Sequence, residues 1–158
     1  MIQRFQTLLL AVVVIAMATV IGTPIWQKSS AALNQKVVLT ASALEHSQAT
    51  TVLSSQSNIY IAVLAGIAAL VAIVSISQYK KRVLQMTLGA INSALMALVL
   101  ILSFYHIFQI GIPMFEPENQ GAYSTGFYAA VVGLLANMIA NRFIRRDETL
   151  VRSADRMR

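Results

Sequence analysis

Four long apolar runs, with positive charge held at alternating junctions between them, constrain this chain more than any other feature. Ten of its twelve Lys and Arg residues fall before the first run, between the second and third, or after the fourth. Arg4 precedes the first run, Lys80, Lys81 and Arg82 separate the second from the third, and Arg142, Arg145, Arg146, Arg152, Arg156 and Arg158 follow the fourth. Only Lys28 and Lys36 lie in the other connections. Cations beside apolar spans stay on the cytoplasmic side. The pattern therefore predicts four membrane crossings with both chain ends in the cytoplasm.

The rest of the composition agrees with lipid as the solvent. Charged residues make up 11% of the 158 residues, against about 25% in a soluble domain. A hydrocarbon core about 30 Å thick takes about 20 apolar residues per helix. Four such stretches use about half the chain, which leaves room for one membrane domain over 1–158 and no separate soluble domain. The net charge of +6 does not point to nucleic acid, because the cations hug span ends instead of forming a stripe on a polar domain. With no cysteine, disulfides, thiolate metal sites and cysteine-linked lipid anchors are excluded.

The expected fold is an all-α integral membrane protein: an antiparallel four-helix transmembrane bundle, both ends inside. The spans are placed at about 5–26, 59–78, 84–109 and 123–143. Trp26 is placed to anchor the far end of the first span at an interface. Ala16-Met17-Ala18 is similar to a leader-cleavage signal, but the apolar run continues past it and is long enough to span. The extracytoplasmic loop at 27–58 is rich in Ser, Thr, Ala and Gln. Its β-branched stretches 36–40 and 50–54 leave three readings open: a small hairpin, a disordered loop or a helical extension of the neighbouring spans. Small residues in the second run, among them Ala65, Ala69 and Ala72, recur at helical spacing and predict a close helix contact. The tail, 144–158, has apolar residues near helical spacing, and Glu148–Arg152 and Asp155–Arg158 are spaced to pair. It reads as a cytoplasmic helix, either continuing the fourth span or lying on the membrane surface.

Two groups of residues are candidate sites. The first is the basic pole: Lys80, Lys81, Arg82, Arg142, Arg145, Arg146, Asp147, Glu148, Arg152, Asp155, Arg156 and Arg158. It suits anionic headgroups or a protein partner. Asp147, Glu148 and Asp155 weaken plain attraction to anionic lipid, which points to an ordered surface. The second is intramembrane: Asn92, Asn137 and Asn141. An amide in lipid needs a partner, so these should face the helix interior as interhelical glue or line a polar site. His106 is the only ionisable residue placed within a span. Neither His46 nor Glu116 stands at a spacing that makes a ligand or relay with it, so it is read as structural. No nucleophile elbow, P-loop, dinucleotide fingerprint or metal-ligand pair is present. No enzyme activity, cofactor or metal is expected.

Three stretches carry a family resemblance. They are Met1-Ile2-Gln3-Arg4-Phe5-Gln6-Thr7, the basic turn Tyr79-Lys80-Lys81-Arg82-Val83-Leu84-Gln85, and the closing segment from Asn141-Arg142-Phe143-Ile144-Arg145-Arg146 to Arg158. Together the chain resembles the domain-of-unknown-function group 4293, small four-span proteins of the Bacteroidota. The resemblance implies a bacterial inner-membrane location and assigns no activity. The chain departs from the family pattern chiefly in its long first loop. The functional expectation is a non-enzymatic scaffold or accessory subunit. It would dock a protein partner, or a second copy of itself, through the basic C-terminal helix, in contact with anionic lipid and without nucleic acid. The alternative is a small-molecule binder or carrier using the three asparagines.

Overall fold

The computed structural model describes residues 2–49, 51–78 and 81–156, with the side chains of 2–4, 152 and 154–156 left aside. Four α-helices pack together: α1 (Ile2–Gly22), α2 (Ile59–Ser77), α3 (Arg82–His106) and α4 (Thr125–Arg156). Each packs against two others, α1 and α3 both touching α2 and α4. Consecutive helices run in opposite directions. One pole therefore holds the α2–α3 turn and the end of α4, and the other pole receives the remaining connections.

The buried faces follow from residue spacing. On α2, Ile61, Ala65, Ala68, Ala72 and Ser75 are buried, alternating steps of four and three that keep one stripe inward. Ala65 and Ala72 are thus on the contact face as their spacing predicts, and Ala69 lies half-buried at its margin. The same alternation on α3 buries Gln85, Gly89, Asn92, Met96, Val99, Ser103 and His106. At Gly133 of α4, a Cβ would lie 3.1 Å from Ala16 Cβ and Met17 Cε, so a glycine there lets α1 and α4 approach closely. The outer faces carry exposed Leu8, Ile15, Leu70, Ile101 and Leu135. Four stretches are long and apolar enough to cross a membrane: Phe5–Gly22, Ile59–Ser77, Arg82–Gly111 and Thr125–Val151. Only 28–33% of each is buried inside the molecule, so most of their apolar surface faces outward, which suits lipid and not water.

The all-α expectation is wrong. A five-stranded antiparallel sheet caps the second pole, in the order β4-β3-β2-β1-β5. Its strands are β1 (Trp26–Ser30), β2 (Gln35–Leu39), β3 (Ala43–Gln48), β4 (Thr51–Ser57) and β5 (Ala122–Tyr123). The stretches 36–40 and 50–54 do not pair with each other. β3 lies between them, with Val37 opposite His46 and Ser47 opposite Val52. The turns lacked a recognisable dipeptide because Asn34 and Ala49 adopt left-handed φ of 51° and 52° where a glycine would be expected. β5 closes the far edge, Trp26 facing Tyr123.

The first span is shorter than expected for the same reason. α1 ends at Gly22, and Trp26 opens β1 with 1% exposure instead of sitting at an interface. Its indole Nε1 donates to Gln120 O at 3.1 Å. A Cβ on Gly111 or Gly121 would come within 2.7 and 2.6 Å of the ring, so only glycine fits on either side of it. α3 runs into a π-turn, η1 (Ile107–Gly111), with Ile112 N donating to Ile107 O at 2.8 Å. This widened turn lies beside the ring of Trp26. Trp26, Val37, Leu39, Leu44 and Phe115 join the helical core, so sheet and helices share one apolar interior. At the tail, α4 continues without a break over 32 residues: the C-terminal helix is the extension of the fourth span.

Candidate functional site

A bridge between α3 and α4 helps to order the basic pole. Arg82 Nη1 lies 3.2 Å from Asp147 Oδ2 and donates to Asp147 O at 3.2 Å, with both side chains half-buried. This ties the start of α3 to α4 beyond its apolar stretch and explains an acid among the arginines. Gln85 Nε2 donates to Ser75 O at 3.1 Å, satisfying a carbonyl at the end of α2. Around this base Lys81, Arg142, Arg145 and Arg146 are exposed, and Glu148 is half-buried. Lys80 and Arg158 lie outside the described residues, as do the side chains of Arg152, Asp155 and Arg156, so the two expected tail pairs fall there too.

The three asparagines do converge between α3 and α4, but unequally. Asn137 is fully buried. Its Nδ2 donates to Gly89 O and to Ser93 Oγ, each at 2.8 Å. Asn92 Nδ2 reaches Asn137 Oδ1 at a long 3.5 Å. Asn92 Oδ1 and Asn141 Oδ1 have no hydrogen-bond partner among the described residues. The Asn141 amide lies flat on Gly89, 3.1–3.3 Å from where a Cβ would stand. Asn137 is thus interhelical glue, whereas Asn92 and Asn141 keep acceptor oxygens unused.

Two further polar sites stand out, one at Lys28, which the sequence reading passed over, and one at His106, which it took as structural and without a partner. Lys28 is 1% exposed. It donates to Ile112 O and Glu116 O at 2.9 Å each, and also to Phe115 O. Its ammonium lies 4.7 Å from the centre of the Phe115 ring, and Ser30 Oγ donates to Glu116 Oε1 at 2.7 Å. All three ammonium protons are therefore used in clamping the α3–α4 connection to the sheet. Burial lowers the Lys28 pKa, with Glu116 opposing. The sequence signal was the alternation Trp26-Lys28-Ser30, whose members all face inward.

The second is His106, 2% exposed. Its Nδ1 lies 2.9 Å from Leu102 O and its Nε2 2.6 Å from Tyr60 Oη. A carbonyl only accepts, so Nδ1 carries the proton in neutral imidazole and Tyr60 donates to Nε2. The structure thus gives His106 a partner 46 residues away, on α2. His46 instead stacks on Phe115, with ring centres 5.7 Å apart.

A search among curated proteins finds no match to this chain. The family model for DUF4293, described as a domain of unknown function, matches residues 2–157. Covering essentially the whole chain, this match makes the protein a member of the DUF4293 family.

Proposed function

We propose that this protein is a non-enzymatic scaffold or accessory subunit of a bacterial inner membrane. In this reading its helices are the anchor, both chain ends are cytoplasmic, and the basic end of α4 is the docking surface. The charge distribution supports the orientation. Among the described side chains, the sheet pole carries Lys28 and Lys36 against Glu45, Glu116 and Glu118, and the opposite pole carries Lys81, Arg82, Arg142, Arg145 and Arg146 against Asp147 and Glu148.

The observation that carries the docking reading is the continuity of α4. Its 32 residues extend roughly 48 Å at 1.5 Å per residue, well beyond a hydrocarbon core of about 30 Å. The surplus emerges as a helix, its base held by Arg82–Asp147, and presents Arg145 and Arg146 to charge-assisted pairing with carboxylates. Crosslinking in native membranes, followed by gentle solubilisation, should recover a stoichiometric partner. That partner should be lost on truncation after Phe143 while the four spans stay folded. Purification as a lone protein from every mild detergent contradicts the proposal.

The unpartnered oxygens of Asn92 and Asn141 favour a second reading, a binder or carrier of a small polar molecule. Asn→Leu changes at positions 92, 137 and 141 that leave folding and uptake phenotypes intact would exclude it.

A further inference from the structure

Arg142 stands between two hollows at the level where α4 passes from apolar to charged. One, of about 250 Å³, is lined by Ser93, Met138, Asn141, Arg142 and Arg145. The other, of about 320 Å³, is lined by Ile139, Arg142, Phe143 and Arg146. Met138 and Ile139 are 55% and 47% exposed, one turn before the arginines. The two hollows together are therefore apolar on the span side and cationic on the other. A free anion covers only the cationic half and leaves Met138, Ile139 and Phe143 bare. An amphiphile with a phosphate at its head covers both.

The polar wall of the first hollow adds a second constraint. Asn141 is pressed against the bare backbone of Gly89, and its Oδ1 has no donor among the described residues. That oxygen is itself covered by the protein, so this wall gives the recess its shape, and a lipid phosphate meets the exposed guanidinium groups of Arg142 and Arg145. Basic recesses between helices at a membrane surface suit anionic headgroups in this way.

We infer that the hollows flanking Arg142 form a stoichiometric site for one anionic phospholipid, its phosphate on Arg142 and Arg145 and its chains along Met138, Ile139 and Phe143. The site shares only its membrane placement with the proposed scaffold role. It is tested without any protein partner, so either idea can fail alone.

The test is native mass spectrometry of the full chain in a mild non-ionic detergent, titrated with phosphatidylglycerol or with phosphatidylcholine of the same chains. The first phosphatidylglycerol should bind about tenfold or more tightly than the first phosphatidylcholine. The paired change Arg142→Gln/Arg145→Gln should remove that preference, and Arg142→Lys/Arg145→Lys should retain most of it. Lys36→Gln, at the opposite pole, should leave it unchanged. Millimolar inorganic phosphate should not displace the lipid. Circular dichroism of each variant checks that the helices persist. Equal binding of the two lipids, wild-type binding by the folded Gln pair, or displacement by inorganic phosphate overturns the inference.

Discussion

Ala49 holds a φ of 52° in the β3–β4 turn. The left-handed region costs an L-residue with a Cβ about 1–2 kcal/mol, and glycine escapes that cost at some loss of unfolded-state entropy. Ala49→Gly is therefore expected to stabilise the protein by about 0.5–1 kcal/mol, measured as a higher denaturation midpoint in detergent. Lys28 makes the opposite point, because its side chain is irreplaceable in kind. Lys28→Met leaves the carbonyls of Ile112, Phe115 and Glu116 without this donor and should cost about 1–3 kcal/mol. The difference depends on pH. Burial depresses the Lys28 pKa, so the folded protein sheds this proton before the unfolded chain does at the ordinary 10.5. Lysine's contribution therefore grows as pH rises through the window below 10.5 and shrinks as pH falls through it. Melting wild type and Lys28→Met side by side from pH 8 upward should show the gap widening. At this scale, sequence reasoning placed Asn137 correctly, because an amide amid apolar residues has few options. It passed over Lys28, because a lone lysine after an apolar run looks like an exposed charge until strand alternation turns it inward.

Among the elements, the helices were legible and the sheet was not. An apolar run long enough to span needs no tertiary information to be read as a helix. Strands β1 to β4 contain Trp26-Gln27-Lys28 and Ser54-Ser55-Gln56, polar segments whose pairing depends on turns made without glycine. The fourth helix was legible almost to its end, and only its continuity with the tail needed the structure. Two outcomes follow from how the elements pack. Asn137 contributes two well-formed bonds to the α3–α4 seam and Asn92 one long one. Intramembrane hydrogen bonds average about 0.6 kcal/mol, so Asn137→Leu should cost about 1–2 kcal/mol and Asn92→Leu close to nothing, compared by unfolding in mixed micelles. In the sheet, β4 is exposed along its whole length and pairs on one side alone, whereas β2 is flanked by β1 and β3. Its amides should exchange hydrogen about tenfold or more faster than those of β2, read by peptide-resolved mass spectrometry.

For the molecule as a whole, the division of charge and structure between its two poles is the feature that matters. One pole is a sheet sealed by Trp26 and Lys28, with two lysines against three glutamates; the other is a set of helix ends carrying Lys81, Arg82, Arg142, Arg145 and Arg146. A bilayer between them reconciles the outward apolar faces of all four spans with the buried amides inside. In the proposed topology lipid separates these poles, with the sheet outside and the end of α4 inside. The chain has no cysteine, so single labels can be introduced cleanly at Leu53→Cys in β4 and at Ser153→Cys in α4. A membrane-impermeant maleimide on intact spheroplasts should label position 53 at once and position 153 only after lysis. Labelling at 153 in intact spheroplasts, or equal labelling at both positions before lysis, would contradict it.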